Sequence, residues 1–180
     1  PANIHVVGKD IIRFHAVYWP AFLLAADIEP PKRIFAHGWW TNEGKKISKS
    51  LGNVIDPNEI IKEYGLDTLR FFLLREVPFG NDGDFSKKSL ERRINNDLAN
   101  DLGNLVQRVL TIINKNLDGK LNKIKQIKES DKKLYEYPNE ILKEIEKNYE
   151  KQEIHKVIEG IWKLISKANK YVDENAPWQL

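Results

Sequence analysis

The sequence predicts an α/β segment followed by an all-α helix bundle, on three observations. Two short strand-like runs, residues 4–7 and 33–40, flank a segment whose apolar residues fall at helical spacing. Between residues 56 and 75 the chain carries helix-boundary signals in close order. Beyond residue 86, Ile94, Leu98, Leu102, Leu105, Val109 and Ile113 recur three or four positions apart, the pattern of one long amphipathic helix.

Residues 4–7 are a β-branched strand ending at Gly8, and residues 10–27 are the helix that follows, with Pro20 set to interrupt or kink it. Residues 33–40 form the second strand, and residues 41–53 are a loop too polar for a core. Strand, helix, strand is the pattern of a parallel sheet, whose strands need partners outside this segment. Asp56, Pro57 and Glu59 are an N-cap, a first-turn proline and a capping-box glutamate, and Gly65 is placed to end that helix in the left-handed conformation. Asp67 then caps a helix running to Arg75, and residues 78–84 are a turn-rich connection. The long helix spans residues 86–116, and the lysine-rich stretch 118–133 is a solvated connection. Helices over residues 138–151 and 153–173 complete an antiparallel bundle.

Composition bounds the function. No apolar run approaches the roughly 20 residues of a membrane-spanning helix, and the N-terminus lacks signal-peptide features, so a soluble, cytoplasmic protein with no membrane partner is expected. The absence of cysteine excludes disulfides and cysteine-based zinc sites, and four scattered histidines give no metal site within the chain. A net charge of +3 permits an RNA partner without demanding one. The chain has no methionine and opens directly on a strand, which reads as a piece excised from a larger protein.

Three groups of residues carry candidate chemistry. The loop around Lys46, Ser48, Lys49 and Ser50, edged by Gly44 and Gly52, has the makings of a polyphosphate clamp. Its ammonium groups can follow charge moving onto a leaving pyrophosphate while small residues let the backbone close. By composition alone it reads as a solvated surface turn, and it lacks the glycine spacing of a Walker loop. On the first helix, Ile12, His15, Trp19 and Phe22 share one face, either as ordinary core or as the wall of an aromatic pocket. Such a wall suits an unbranched thioether. On the long helix, Asp97, Asn100, Asp101, Asn104, Arg108, Thr111 and Lys115 project as one polar stripe opposite Leu98, Leu102, Val106, Val109 and Ile113. Asn104 and Arg108 are either a solvated face or a pair able to bind the edge and phosphate of a splayed RNA base.

The segment Lys46-Ile47-Ser48-Lys49-Ser50 with its sequel Leu51-Gly52-Asn53-Val54-Ile55-Asp56-Pro57 resembles the Lys-Met-Ser-Lys-Ser signature of class I aminoacyl-tRNA synthetases. Ile47 stands where methionine is usual and leaves both lysines in place. The stretches from Gly8 to His15, Tyr18 to Pro20 and Ala36 to Gly38 are similar to the second half of the catalytic domain in bacterial methionyl-tRNA synthetases, in the same order. Gly103 to Arg108 resembles the family's Asn-Leu-x-x-Arg anticodon motif, and Asn175 to Trp178 resembles its second anticodon element.

The resemblance implies that residues 1–55 are the C-terminal part of a Rossmann-like nucleotide-binding fold, residues 56–88 a connecting segment that meets the tRNA stem, and residues 89–180 an anticodon-binding helix bundle, truncated at its C-terminus. Asp82 to Ser86 resembles the segment that faces the inner side of the tRNA. It implies ATP with Mg2+ as cofactor, methionine and tRNA(Met) as partners, and catalytic roles for Lys46 and Lys49. On the same resemblance Gly8, Asp10, Trp40, Lys46 and Lys49 are expected to bind ATP, and Ile12, Phe14, His15 and Trp19 to form the methionine pocket, His15 positioning rather than transferring protons. Asn104, Arg108 and Trp178 are expected to bind the anticodon. Another class I synthetase for an apolar amino acid, or a non-catalytic tRNA-binding module, are the alternatives. The His-x-x-His element that contacts ATP in this family is absent from the sequence, so the isolated piece is expected to be inactive alone; it is also expected to be monomeric.

Overall fold

The structure, a computed structural model, describes residues 1–121, 123 and 126–179, with Lys49 described in its backbone alone. It divides into two compact units, Pro1–Ser86 and Lys87–Leu180.

In the first unit β1 (His5–Gly8) pairs in parallel with β2 (Ile34–His37), His5 opposite Ile34 and Gly8 opposite His37. Parallel strands require a crossover, which residues 9–33 supply. The expected helix is wound three ways: a 3-10 turn at Lys9–Ile11, a π turn at Phe14–Tyr18, and α1 (Trp19–Ala25). Pro20 accounts for the change. It has no amide hydrogen to donate, so it occupies the first turn of α1, and the preceding turn is wide, with the Trp19 amide donating to the Phe14 carbonyl.

The run 33–40, expected as one strand, is two. After β2 the chain breaks at Gly38, and β3 (Trp40–Asn42) begins a separate sheet, of which it is the central strand between β4 (Lys45–Lys46) and β5 (Gly83–Phe85). A Cβ on Gly38 would stand 2.2 Å from the Asn81 carbonyl oxygen, so only glycine lets the chain pass this corner. Part of the expected loop 41–53 is a hairpin. The chain turns at Glu43 and Gly44, with φ of 50° and 74°, into β4 (Lys45–Lys46), and Thr41 faces Lys46. Two central residues at positive φ match the twist of the flanking strands. The connection 78–84 runs into β5 (Gly83–Phe85), parallel to β3, too short a strand to leave an alternating pattern in the sequence.

Between these strands lie α2 (Pro57–Tyr64) and α3 (Leu66–Arg75). Asp56 caps α2 as expected, its carboxylate accepting from the Asn58 amide at 2.8 Å. Gly65 ends α2 at φ 87° and ψ 154°, a region open essentially to glycine alone, rather than the left-handed helical region expected. That same glycine is the N-cap of α3, and Asp67, expected to cap it, lies within its first turn. The core forms where Phe72, fully buried, meets the rings of Phe85 and Trp40 at 5.6 and 6.0 Å, with Ile60 and Leu69 buried nearby in sequence.

The second unit opens with the expected long helix, continuous from α4 (Lys87–Arg93) through a π-helical stretch at Ile94–Gly103 into α5 (Asn104–Leu117). The π stretch corrects the projected polar stripe. Wider turns advance each residue by a smaller angle, and Asp97, expected in solvent, is buried with Arg93 at 3.2 Å. Val106, expected inward, is 46% exposed. Helix α6 (Glu129–Glu150) begins well before Pro138, which lies inside it, whereas the sequence suggested a start there. The additional turns dock through the Tyr171 hydroxyl, which donates to Asp131 at 2.9 Å. Helix α7 (Ile154–Asn175) runs antiparallel to α6, with Gly160 against Ile145, Lys167 over the Tyr137 ring and Tyr171 on Asp131. The Asn169 amide also donates to the Asp101 carbonyl at 3.1 Å, joining α7 to the π stretch. Residues 122, 124 and 125 of the expected connection lie outside the described residues. Among the described residues, no helix is long and apolar enough to cross a membrane.

Candidate functional site

The exit of β1 carries Gly8, Lys9 and Asp10. Gly8 has an ordinary φ of −67°, so its requirement is space: a Cβ there would stand 2.4 Å from the Asp10 carboxylate. The glycine therefore lets Asp10, itself exposed, fold back over the strand end, where a carboxylate can accept hydroxyl hydrogen bonds. Lys9 turns toward Asp82, its ammonium 2.6 Å from both carboxylate oxygens, and lies 4.3 Å from the centre of the Trp39 ring. Asp82 also accepts from the Trp39 amide at 2.9 Å. The Lys9 hydrogen bond first, and the Trp39 amide second, hold the Asp82 carboxyl below the usual carboxylate range. This junction ties the β1–β2 sheet to the three-stranded sheet. It also occupies Asp82, in the segment expected to face tRNA, with contacts inside the unit.

Next to β1 an open cleft of about 630 Å³ is lined by His5, Phe14, His15, Tyr18, Trp19 and Phe22. The π turn and α1 place these rings on one side of the crossover, with Phe14 and Tyr18 edge to face at 5.8 Å. Of the expected pocket residues, Phe14, His15 and Trp19 come together here, and Ile12 is outside the lining. The Nδ1–H of His15 donates to the Ile11 carbonyl at 3.0 Å, which leaves Nε2 as the acceptor of the neutral ring. Its edge meets His5 at 6.2 Å between ring centres. The cleft is apolar and aromatic with one oriented imidazole, within the size range of small-molecule sites.

The lysine loop is built on the β3–β4 hairpin. Lys46 ends β4 with its side chain exposed, and the chain passes through Ser48 into a 3-10 turn at Lys49–Leu51. The Lys49 side chain, to which the sequence assigns a catalytic role, lies outside the described residues. Asp84 on β5 fixes the hairpin, its Oδ1 accepting from the Thr41 hydroxyl at 2.5 Å and the Gly44 amide at 2.7 Å. Asn53 closes the far side, accepting from the Ser48 amide and donating to the Lys46 carbonyl. Trp40, by contrast, sends its ring into the core against Phe72 and Gly83, so what it can offer a nucleotide is backbone.

In the second unit Arg108 and Trp178 come together. The guanidinium carbon lies 5.1 Å from the Trp178 ring centre, and Arg108 Nη2 donates to Asp173 at 2.5 Å. The ring reaches Arg108 because Ala176, in the left-handed conformation, ends α7 and turns the chain into the short helix Pro177–Gln179. Trp178 remains 52% exposed, and Asn104 is exposed one helical turn before Arg108. The arrangement presents an amide, a planar cation and an aromatic face, which suit an unstacked base and its phosphate.

The profile described as "tRNA synthetases class I (M)" matches residues 2–110, more than half of the chain. The chain belongs to the class I (M) tRNA synthetase family. A methionine–tRNA ligase of Rickettsia bellii is 53% identical over all of this chain, which covers 36% of that protein. One of Caldanaerobacter subterraneus is 50% identical over the whole chain, covering 28% of that protein. The solved structure of Mycobacterium tuberculosis methionyl-tRNA synthetase in complex with methionyl-adenylate superposes with a TM-score of 0.94 at 49% identity, over 99% of this chain and 35% of that one. The chain thus spans about a third of the length of the relatives it matches.

Sequence reasoning missed several residues of these sites. His5 and Tyr18 line the cleft, and His5 is legible only once β1 is seen beside the π turn. Phe22 was within the aromatic stripe and does line the cleft. Asp173 carried no motif of its own. Asp84 holds the hairpin through the Thr41 hydroxyl and the Gly44 amide, and Asn53, quoted above only as part of the motif's sequel, acts through the Ser48 amide and the Lys46 carbonyl. Among the described residues, no group of three or more histidines, aspartates and glutamates could hold a metal ion.

Proposed function

We propose that this chain is part of a cytoplasmic methionyl-tRNA synthetase, which activates methionine with ATP and transfers it to tRNA(Met). The observation that carries the reading is the braced lysine hairpin, standing in a chain about half identical over its whole length to methionine–tRNA ligases. In this reaction a methionine carboxylate oxygen forms a bond to the α-phosphorus of ATP as the bond to the leaving pyrophosphate breaks. Lys46 and Lys49 stabilise the charge that accumulates on that pyrophosphate. Asp10 accepts from the ribose hydroxyls, and the Gly8 and Trp40 backbones border the nucleotide. Magnesium enters as the partner of the ATP phosphates. Phe14, His15 and Trp19 hold the methionine side chain, a polarizable thioether against ring edges. Asn104, Arg108 and Trp178 read the anticodon by hydrogen bonding and stacking.

The test is amino-acid-dependent ATP–pyrophosphate exchange by the full-length protein that carries this chain. Exchange with methionine, and at least about a hundredfold less with leucine, isoleucine or valine, is the expected result. Exchange that prefers another apolar amino acid would transfer the assignment to a different synthetase. Absence of exchange with every amino acid, alongside retained tRNA binding, would identify a non-catalytic module.

A further inference from the structure

The Asn53 side chain grips the backbone of the lysine loop from within. Its Oδ1 accepts from the Ser48 amide at 2.9 Å and its Nδ2 donates to the Lys46 carbonyl at 3.0 Å. Its own backbone carbonyl accepts from the Asn42 side chain at 2.8 Å. Asn42 is on β3, where it faces Lys45 across the hairpin. The primary amide is the one side-chain group that donates and accepts in one plane at this length, and both of its ends are used. A hydrogen-bonded ring therefore runs from β3 through Asn53 to the two backbone positions that flank Ile47. Ser48 gains two further bonds, its hydroxyl paired with that of Ser50 at 2.7 Å and its carbonyl accepting from the Leu51 amide at 3.2 Å. Gly52, at φ 63°, provides the turn that swings Asn53 back under the loop.

We propose that Asn53 is a positioning residue: through the Lys46 carbonyl and the Ser48 amide it holds the lysine segment as one body on the sheet, so that the Lys46 ammonium is aimed before ATP arrives. This rests on the reading that the loop serves ATP activation. Asn53 touches no reacting atom. Without it, residues 46–48 keep their covalent path but sample many orientations, and the cost falls on the step in which Lys46 must meet developing charge. Binding of methionine, at the aromatic cleft, is not affected.

The experiment compares Asn53→Ala and Asn53→Asp with the wild-type full-length protein in two ways. The first needs no substrate: limited trypsin digestion, followed by mass spectrometry, reads cleavage after Lys46 and Lys49. Asn53→Ala is expected to be cut there at least fivefold faster. Asn53→Asp, which keeps the acceptor for the Ser48 amide, should fall between it and wild type. The second is ATP–pyrophosphate exchange: kcat falls at least tenfold in Asn53→Ala while KM for methionine stays within twofold. Unchanged cleavage, or a loss of exchange expressed in KM for methionine, overturns the proposal. If the wild type shows no methionine-dependent exchange, the proposed function fails, and the cleavage comparison still decides whether Asn53 anchors the loop.

Discussion

Replacing Gly38 with alanine tests the corner that joins the two sheets. The added Cβ would lie 2.2 Å from the Asn81 carbonyl oxygen, 2.3 Å from its carbon and 2.5 Å from the Asp82 nitrogen. All three are backbone atoms, so no rotamer change relieves the clash. Reaching a normal van der Waals separation of about 3.5 Å requires the two segments to part by more than about 1 Å. The Trp39 amide bond to Asp82, at 2.9 Å, and the Gly83 amide bond to the Trp39 carbonyl, at 2.8 Å, span this gap and cannot both survive such a movement. Overpacking of this kind costs about 1–3 kcal/mol and a lost hydrogen bond about 1 kcal/mol, for a total of about 2–4 kcal/mol. Urea denaturation of the full-length protein, followed by tryptophan fluorescence, measures it, because Trp39 and Trp40 adjoin the substitution. A midpoint unchanged within error would refute the claim that the close approach at Gly38 holds the β2–β3 corner.

Other perturbations separate the sites. Lys46→Ala should lower kcat for methionine-dependent exchange by about 10²–10³ with KM for methionine unchanged, the signature of a contact made in the transition state. Trp178→Ala should weaken tRNA(Met) binding by about 1–3 kcal/mol, measured by filter binding, while leaving exchange intact. The Asp131 carboxyl is held below its usual range by hydrogen bonds from Ser130 and then Tyr171. Its stabilisation is therefore present above the unfolded value near pH 4 and disappears as the pH falls through the lower folded value. Burial, followed by the Asp131 contact, raises the Tyr171 hydroxyl above its ordinary value, so that donor persists through neutral pH and is lost only as the pH rises through its raised value. Tyr171→Phe should accordingly reduce the loss of stability on acidification, as read from urea midpoints between pH 6 and pH 3.

How much of this was legible in the sequence depended on the kind of interaction involved. Asp56 and Pro57 announce a helix start because capping is local, and the structure has α2 beginning there. The long helix was likewise visible in its apolar period, but its π-helical centre was not, and Asp97 moved from the solvent stripe to a buried ion pair. Pro138 misled for the opposite reason: proline favours a first turn, yet the Tyr171–Asp131 contact draws the preceding residues into α6. The second strand broke at Gly38 because of a close approach by residues 81 and 82, more than forty positions away and invisible to any local window. At the candidate site, the lysines and the aromatic face stood out by residue type. The supporting roles of Asp84 and Asn53 were not legible, because they act largely on backbone amides and a carbonyl that only the folded hairpin brings within reach.

In the proposed function, methionine activation is coupled to anticodon recognition in one protein. Aminoacylation with methionine by the full-length protein, using tRNA(Met) transcripts with the CAU anticodon and with that anticodon replaced, measures both. The predicted result is efficient methionylation of the CAU transcript and at least about a hundredfold loss of kcat/KM when the anticodon changes, as expected when hydrogen-bonding and stacking contacts to the bases are both lost. Equal charging of both transcripts, or no methionylation of either, would contradict it.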